Sequence, residues 1–138
     1  MVVDDDPDMR AVIRDFLRPE GYAVHEEATG GGLVDVLERG APALLVLDKE
    51  LPGPDGLDLL AYVSRRHPAV PVVLITAFGG SGVREEALRL GATRYLEKPF
   101  SARMLVECVR DLVGDGDARP ETAGPGDERD NLSPSRQE

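Results

Sequence analysis

The sequence has no tryptophan and a single cysteine, Cys108, and it carries only three tyrosines and three phenylalanines. One cysteine cannot close an internal disulfide, so the fold must rest on its core, and this usage fits a reducing compartment. No apolar run approaches the roughly 18–20 residues that span a bilayer. No basic stretch leads into an apolar one, as a secretory leader would require. The chain is therefore expected to be cytoplasmic, with no membrane partner. Positive charge is also in short supply: 16 Lys and Arg stand against 26 Asp and Glu, for a net charge of −10. Such a surface repels phosphate backbones, and direct nucleic-acid binding by this chain is not expected. What is present is a chain of 138 residues, 41% hydrophobic, long enough for one domain with its own core.

Composition changes near Gly114. Residues 114–138 hold seven acids, three arginines and one large apolar residue, Leu132. This acidic, Gly- and Pro-rich tail cannot bury enough surface to offset its ordering entropy and is expected to be disordered. Residues 1–113 are the expected domain. The roughly 25 residues after Val113 are too few and too polar for an output domain. The reading is thus a stand-alone module or a fragment of a longer protein.

Within residues 1–113, apolar runs alternate with helical patterns. Met1-Val2-Val3 is a short run that stops at Asp4-Asp5-Asp6, and Asp6 with Pro7 predicts a helix start. Val12, Ile13, Phe16 and Leu17 form one helical face, and Gly21 ends the unit. Tyr22 to Glu27 reads as a half-polar strand. Gly30-Gly31-Gly32 is a poor helix start, although Leu33, Val34 and Leu37 follow at helical spacing. Ala43 to Leu47 has the continuous apolar character of a central parallel strand and stops at Asp48. After a Pro- and Gly-rich turn, Leu57, Leu60, Ala61 and Ser64 give a helical face. Val70 to Ile75 is the next apolar strand and stops at Thr76. Val83, Ala87 and Leu90 mark a helix, Tyr95-Leu96 a short strand ending at Lys98-Pro99. Ser101 is placed to cap a last helix carrying Met104, Leu105, Cys108, Val109 and Leu112.

Strand–helix alternation implies a mostly parallel sheet covered on both faces, with ligands outside the carboxyl ends of the strands. The residues that stop the strands are Asp4-Asp5-Asp6, Asp48, Thr76 and Lys98, so all four groups fall on one rim. Converging carboxylates from Asp4, Asp5 and Asp48 repel one another unless a cation is present, and oxygen-rich sites suit Mg²⁺. An aspartate can also act as a nucleophile toward phosphorus, helped chiefly by positioning and charge neutralisation. Lys98 would supply a compact positive charge and Thr76 a hydroxyl donor. Taken singly, each of these residues is as well explained by a cap, a turn or the surface. His25 and His67 fit surface or helix-end roles, and Cys108 fits the core.

In combination, Val-Val-Asp-Asp-Asp-Pro, Leu-Val-Leu-Asp-Lys-Glu-Leu-Pro-Gly-Pro-Asp-Gly, Leu-Ile-Thr-Ala and Tyr-Leu-Glu-Lys-Pro-Phe resemble, in order, four motifs of response-regulator receiver domains. The resemblance covers about Met1 to Val113. It implies a flavodoxin-like α/β fold: three layers, a five-stranded parallel sheet of order 2-1-3-4-5, helices on both faces. It also implies a two-component phosphorelay role. Asp48 would accept a phosphoryl group from a histidine kinase or phosphotransfer protein in a Mg²⁺-dependent reaction. Asp5 would hold the metal directly, Asp4 largely through water, and Glu50 through its backbone carbonyl only. Thr76 and Lys98 would contact the phosphoryl group, Tyr95 would be the aromatic switch, and Pro99 would follow a cis peptide bond. Such a chain is a phosphoacceptor that promotes its own phosphotransfer and slow autodephosphorylation, not an enzyme acting on outside substrates. Its output would be altered partner binding or dimerisation through the fourth helix, fifth strand and fifth helix. The family has several residues ahead of the first-strand motif, so a truncated or misassigned start is expected. Two other readings compete: a degenerate receiver serving as a constitutive scaffold, and an aspartyl-phosphate phosphohydrolase, in which position 50 would be the general acid.

Overall fold

Apolar runs in this chain pair in register and place alternate side chains on opposite faces. The computed structural model describes residues 1–114. Its elements are β1 (Val2–Val3), α1 (Pro7–Leu17), β2 (Glu26–Glu27), α2 (Gly30–Arg39), β3 (Leu45–Asp48), α3 (Gly56–Arg66), β4 (Val72–Thr76), α4 (Ser81–Leu90), β5 (Arg94–Glu97) and α5 (Ala102–Val113). The strands are all parallel, in the order β2-β1-β3-β4-β5. This is the flavodoxin-like topology expected from the sequence. The expected tail, residues 114–138, lies outside the described residues but for Gly114.

Period-2 alternation makes two cores, one on each face of the sheet. Val3, Leu45, Leu47, Val72 and Leu74 pack with Leu33 and Leu37 of α2, Leu59, Leu60 and Val63 of α3 and Ala87 of α4. Val2, Val46, Val73 and Ile75 pack with Ile13 and Leu17 of α1 and Leu105, Val106 and Val109 of α5. Truncating a fully buried leucine such as Leu47 or Leu60 to alanine costs about 2–5 kcal/mol in such a core. No helix among the described residues is long and apolar enough to cross a membrane.

Helix starts follow the capping chemistry. Asp6 accepts from the Asp8 N–H at 2.9 Å with Pro7 at the first helical position, and Ser101 accepts from the Met104 N–H at 3.1 Å. Asp55 caps α3 through the Asp58 N–H at 3.1 Å. Each such cap contributes about 1 kcal/mol.

Several elements depart from the sequence expectation. The second strand is two residues long rather than running from Tyr22 to Glu27. Triple glycine does not delay α2: the helix begins at Gly30, because the Thr29 hydroxyl caps the Gly32 N–H at 3.0 Å. A side chain at position 30 would meet Leu59, and one at 32 the Glu27 carboxylate, so two of the three glycines sit where space is short. Val12 and Met104, read as core-facing, are exposed, while Leu59, Val63 and Val106 are buried instead. Helical periodicity fixes a stripe, but tertiary packing decides which edge of it is covered. His67 caps the end of α3, His25 pairs with Glu27 at 2.7 Å, and Cys108 packs against the core beside Leu105 and Val109, as their assignments required.

Candidate functional site

Register assembles the rim. Val3 pairs with Leu47, so the next residues, Asp4 and Asp48, leave the sheet side by side. Asp48 pairs with Ile75, and Thr76 with Glu97, which places Lys98 one residue further along the same rim. Lys98–Pro99 is a cis peptide, as expected.

Three of these polar side chains are removed from water. Asp4 and Thr76 are 0% exposed and Asp48 is 2% exposed. Carboxylate oxygens of Asp4, Asp5 and Asp48 lie within 4.8 Å of one another, the only such acidic group among the described residues. Asp5 is the exposed member. Lys98 Nζ reaches Asp4 Oδ2 at 3.3 Å and Asp48 Oδ1 at 3.5 Å. Asp4 is held further by the Asp6 N–H, which donates to its Oδ1 at 2.9 Å, while Arg10 donates to its backbone carbonyl at 2.6 Å. The Glu50 N–H donates to Asp48 Oδ1 at 3.2 Å.

This balance leaves the site short of positive charge. Burial, and then the Asp4 carboxylate, push the Asp48 carboxyl up to about 6, against the opposing pull of Lys98 and the Glu50 N–H. Burial draws the Lys98 ammonium down, but Asp4 and Asp48 outweigh it and hold it above the ordinary lysine value. One cation against three clustered carboxylates is a donor set suited to a hard divalent ion such as Mg²⁺.

Sequence reasoning missed the Glu50 side chain. Its Oε2 accepts from the Thr76 hydroxyl and its Oε1 from the Ala77 N–H at 3.0 Å. Burial raises the Glu50 carboxyl, but the Thr76 and Ala77 hydrogen bonds, with Lys49 and Lys98, lower it further and leave it below the usual carboxylate range. Thr76 therefore points its hydroxyl at Glu50 rather than at Asp48. Arg10 was missed as well; only its placement one helical turn after Asp4-Asp5-Asp6 hints at it. Tyr95 is half-buried, with its hydroxyl donating to Glu97 Oε2 at 3.2 Å, and the Gly80 N–H donates to the same oxygen at 3.2 Å. A side chain at Gly79 would collide with both the Tyr95 hydroxyl and the Glu97 carboxylate.

Comparison with known proteins agrees with this geometry. The profile described as "Response regulator receiver domain" matches residues 1–110. The nitrogen assimilation regulatory protein NtrX of Azorhizobium caulinodans is 37% identical over 108 residues, covering 77% of this chain and 24% of that protein. The response regulator protein FleR of Pseudomonas aeruginosa is 38% identical over 109 residues, covering 79% of this chain and 23% of that protein. The chain thus spans about a quarter of the length of these relatives. The crystal structure of the receiver domain of NtrX from Brucella abortus superposes with a TM-score of 0.77 at 33% identity, covering 81% of this chain and 95% of that one.

Proposed function

The chain belongs to the response-regulator receiver family, and from that premise we propose that Asp48 is its phosphoacceptor, taking a phosphoryl group from the phosphohistidine of a histidine kinase or phosphotransfer protein. The observation that carries the reading is the placement of Asp48: it ends a central strand, almost fully buried, 3.5 Å from Lys98 and clustered with Asp4 and Asp5. An Asp48 carboxylate oxygen attacks phosphorus, and the phosphorus–nitrogen bond breaks with its electron pair remaining on the imidazole. Asp5 and Asp48 would hold Mg²⁺ together with the Glu50 backbone carbonyl, and Asp4 chiefly through water. A bound Mg²⁺ supplies neutralisation of the charge on the phosphoryl oxygens. Lys98 supports a second side of the group as a point charge. The Thr76 hydroxyl donates to a phosphoryl oxygen once the group is in place.

Phosphorylation then acts as a switch by differential contacts. A new dianion binds Thr76 and Lys98 in one state only, and the position of Thr76 at the end of β4 links this to Tyr95 on β5. The face formed by α4, β5 and α5 is the surface through which partner binding or dimerisation would change. With a net charge of −10, this chain leaves DNA contact to other chains or domains. A phosphohydrolase would need a general acid at position 50. The Glu50 carboxyl, held below the usual range and engaged as an acceptor, does not serve that reading.

Incubation with Mg²⁺ and acetyl phosphate tests the proposal. The chain should gain one acid-labile phosphate, and Asp48→Asn should gain none. Absence of the label in the unsubstituted chain, or its persistence in Asp48→Asn, overturns it.

A further inference from the structure

Glu50 enters the scheme above only through its backbone, yet its side chain holds both donors at the carboxyl end of β4. One oxygen accepts from the Thr76 hydroxyl and the other from the Ala77 N–H. Thr76 Oγ1 in turn accepts from the Phe78 N–H at 3.0 Å. A threonine hydroxyl has one proton to give. With Oγ1 already serving Phe78 as an acceptor, that proton is committed to Glu50. Neither it nor the Ala77 N–H is then available to a phosphoryl oxygen on Asp48. A carboxylate presents two acceptor oxygens and a negative charge, the same features that two oxygens of a phosphoryl group present.

We infer that the Glu50 carboxylate is an internal stand-in for the phosphoryl group. In the unphosphorylated chain it occupies the Thr76 hydroxyl and the Ala77 N–H, and it must leave them before a phosphoryl group on Asp48 can take its place. The inference rests on Asp48 being the phosphoacceptor. The Glu50 carboxylate is a positioning group here: it acts through Thr76 and Ala77, while the contact of this residue with Asp48 is made by its backbone N–H. Lys49 Nζ, 3.6 Å from Glu50 Oε2, already borders the carboxylate and can accompany it when it is displaced. The exchange breaks one set of charge-assisted hydrogen bonds to make another, so it opposes phosphorylation at this step.

Beryllofluoride, which mimics a phosphoryl group on a carboxylate, reads the competition directly. Its affinity is measured at saturating Mg²⁺ by amide NMR for the unsubstituted chain, Glu50→Ala, Glu50→Gln, Thr76→Ala, and Glu50→Ala combined with Thr76→Ala. Glu50→Ala should bind roughly tenfold tighter, the scale of one or two hydrogen bonds released from competition. Glu50→Gln, similar in shape and neutral, should lie between. Without ligand, the Ala77 amide proton should move upfield in Glu50→Ala as it loses its charged acceptor. In the Thr76→Ala background, the gain should shrink to the share that Ala77 contributes. An unchanged affinity overturns the inference, as does an equal gain with and without Thr76, which would mean bare charge repulsion. Failure of the unsubstituted chain and of Glu50→Ala alike to bind beryllofluoride would overturn the phosphoacceptor reading itself.

Discussion

Lys98 stands closer to Asp4 than to Asp48, with Nζ 3.3 Å from one carboxylate and 3.5 Å from the other. A single ammonium is thus divided between two buried acids. Removing it leaves both uncompensated. Lys98→Met is expected to destabilise the domain by about 3 kcal/mol at neutral pH without added metal, because breaking a buried pair strands its partners. Urea unfolding checks this, and a loss smaller than about 1 kcal/mol would count against the shared-charge description.

Asp48 gives stability a pH dependence opposite to that of a salt-bridged aspartate. Its folded value of about 6 lies above the 3.8 of the unfolded chain. Between these values the folded state binds the extra proton, so the cost of burying the charge is fully present above about pH 6 and is relieved as pH falls toward 4. The cost is of order 2–3 kcal/mol. Without metal at pH 7.5, Asp48→Asn should therefore melt at a higher temperature than the unsubstituted chain, with the gap closing near pH 4. A gap independent of pH would show that charge burial is not its source.

Metal should reverse that ranking. Ligands that bind only the folded state stabilise it by mass action. Raising Mg²⁺ should lift the melting temperature of the unsubstituted chain, with little effect on Asp48→Asn or Asp5→Asn. Asp5 is the informative choice: it is the exposed member of the cluster, so replacing it removes a ligand without opening the core. Equal responses from all three chains would place the metal elsewhere.

Gly56 and Gly53 separate fold from site. A side chain at position 56 would run into the Asp48 carbonyl oxygen and the Lys49 Cα, both backbone atoms that cannot swing aside. Position 53 has open space, but its φ of +79° is strained for any L side chain. Gly53→Ala should cost about 1 kcal/mol and leave acetyl-phosphate labelling at its normal rate. Gly56→Ala should cost about 2 kcal/mol or more and also slow labelling, since it displaces Asp48. Normal labelling in Gly56→Ala would contradict the close-contact argument.

The parts of the site legible in the sequence are those that a strand's end dictates. Asp48 and Thr76 close long apolar runs, and a parallel sheet brings such closures to one rim, so their meeting with Asp4 and Lys98 followed from topology. The Glu50 contact did not follow, because a pattern of residue types carries no rotamer. Nor did the start of α2: propensity counts three glycines as a weak helix, whereas the Thr29 cap and the close approaches to Leu59 and Glu27 belong to tertiary structure. Val12 and Met104 show the same limit, since periodicity does not say where α1 and α5 press on each other and where they face water.

Gly56 also makes the two flanks of Asp48 mechanically unequal. Toward α3, backbone abuts backbone, and the Gly56 N–H donates to the Lys49 carbonyl at 2.8 Å, so that side acts as an anvil. Toward α4, the chain leaves Thr76 through Gly79 and Gly80, the latter at a φ of +134°, and its N–H groups are held by side chains: Ala77 by Glu50, Phe78 by Thr76 and Gly80 by Glu97. Strain introduced at Asp48 therefore meets backbone toward α3 and side chains that can turn toward α4 and β5.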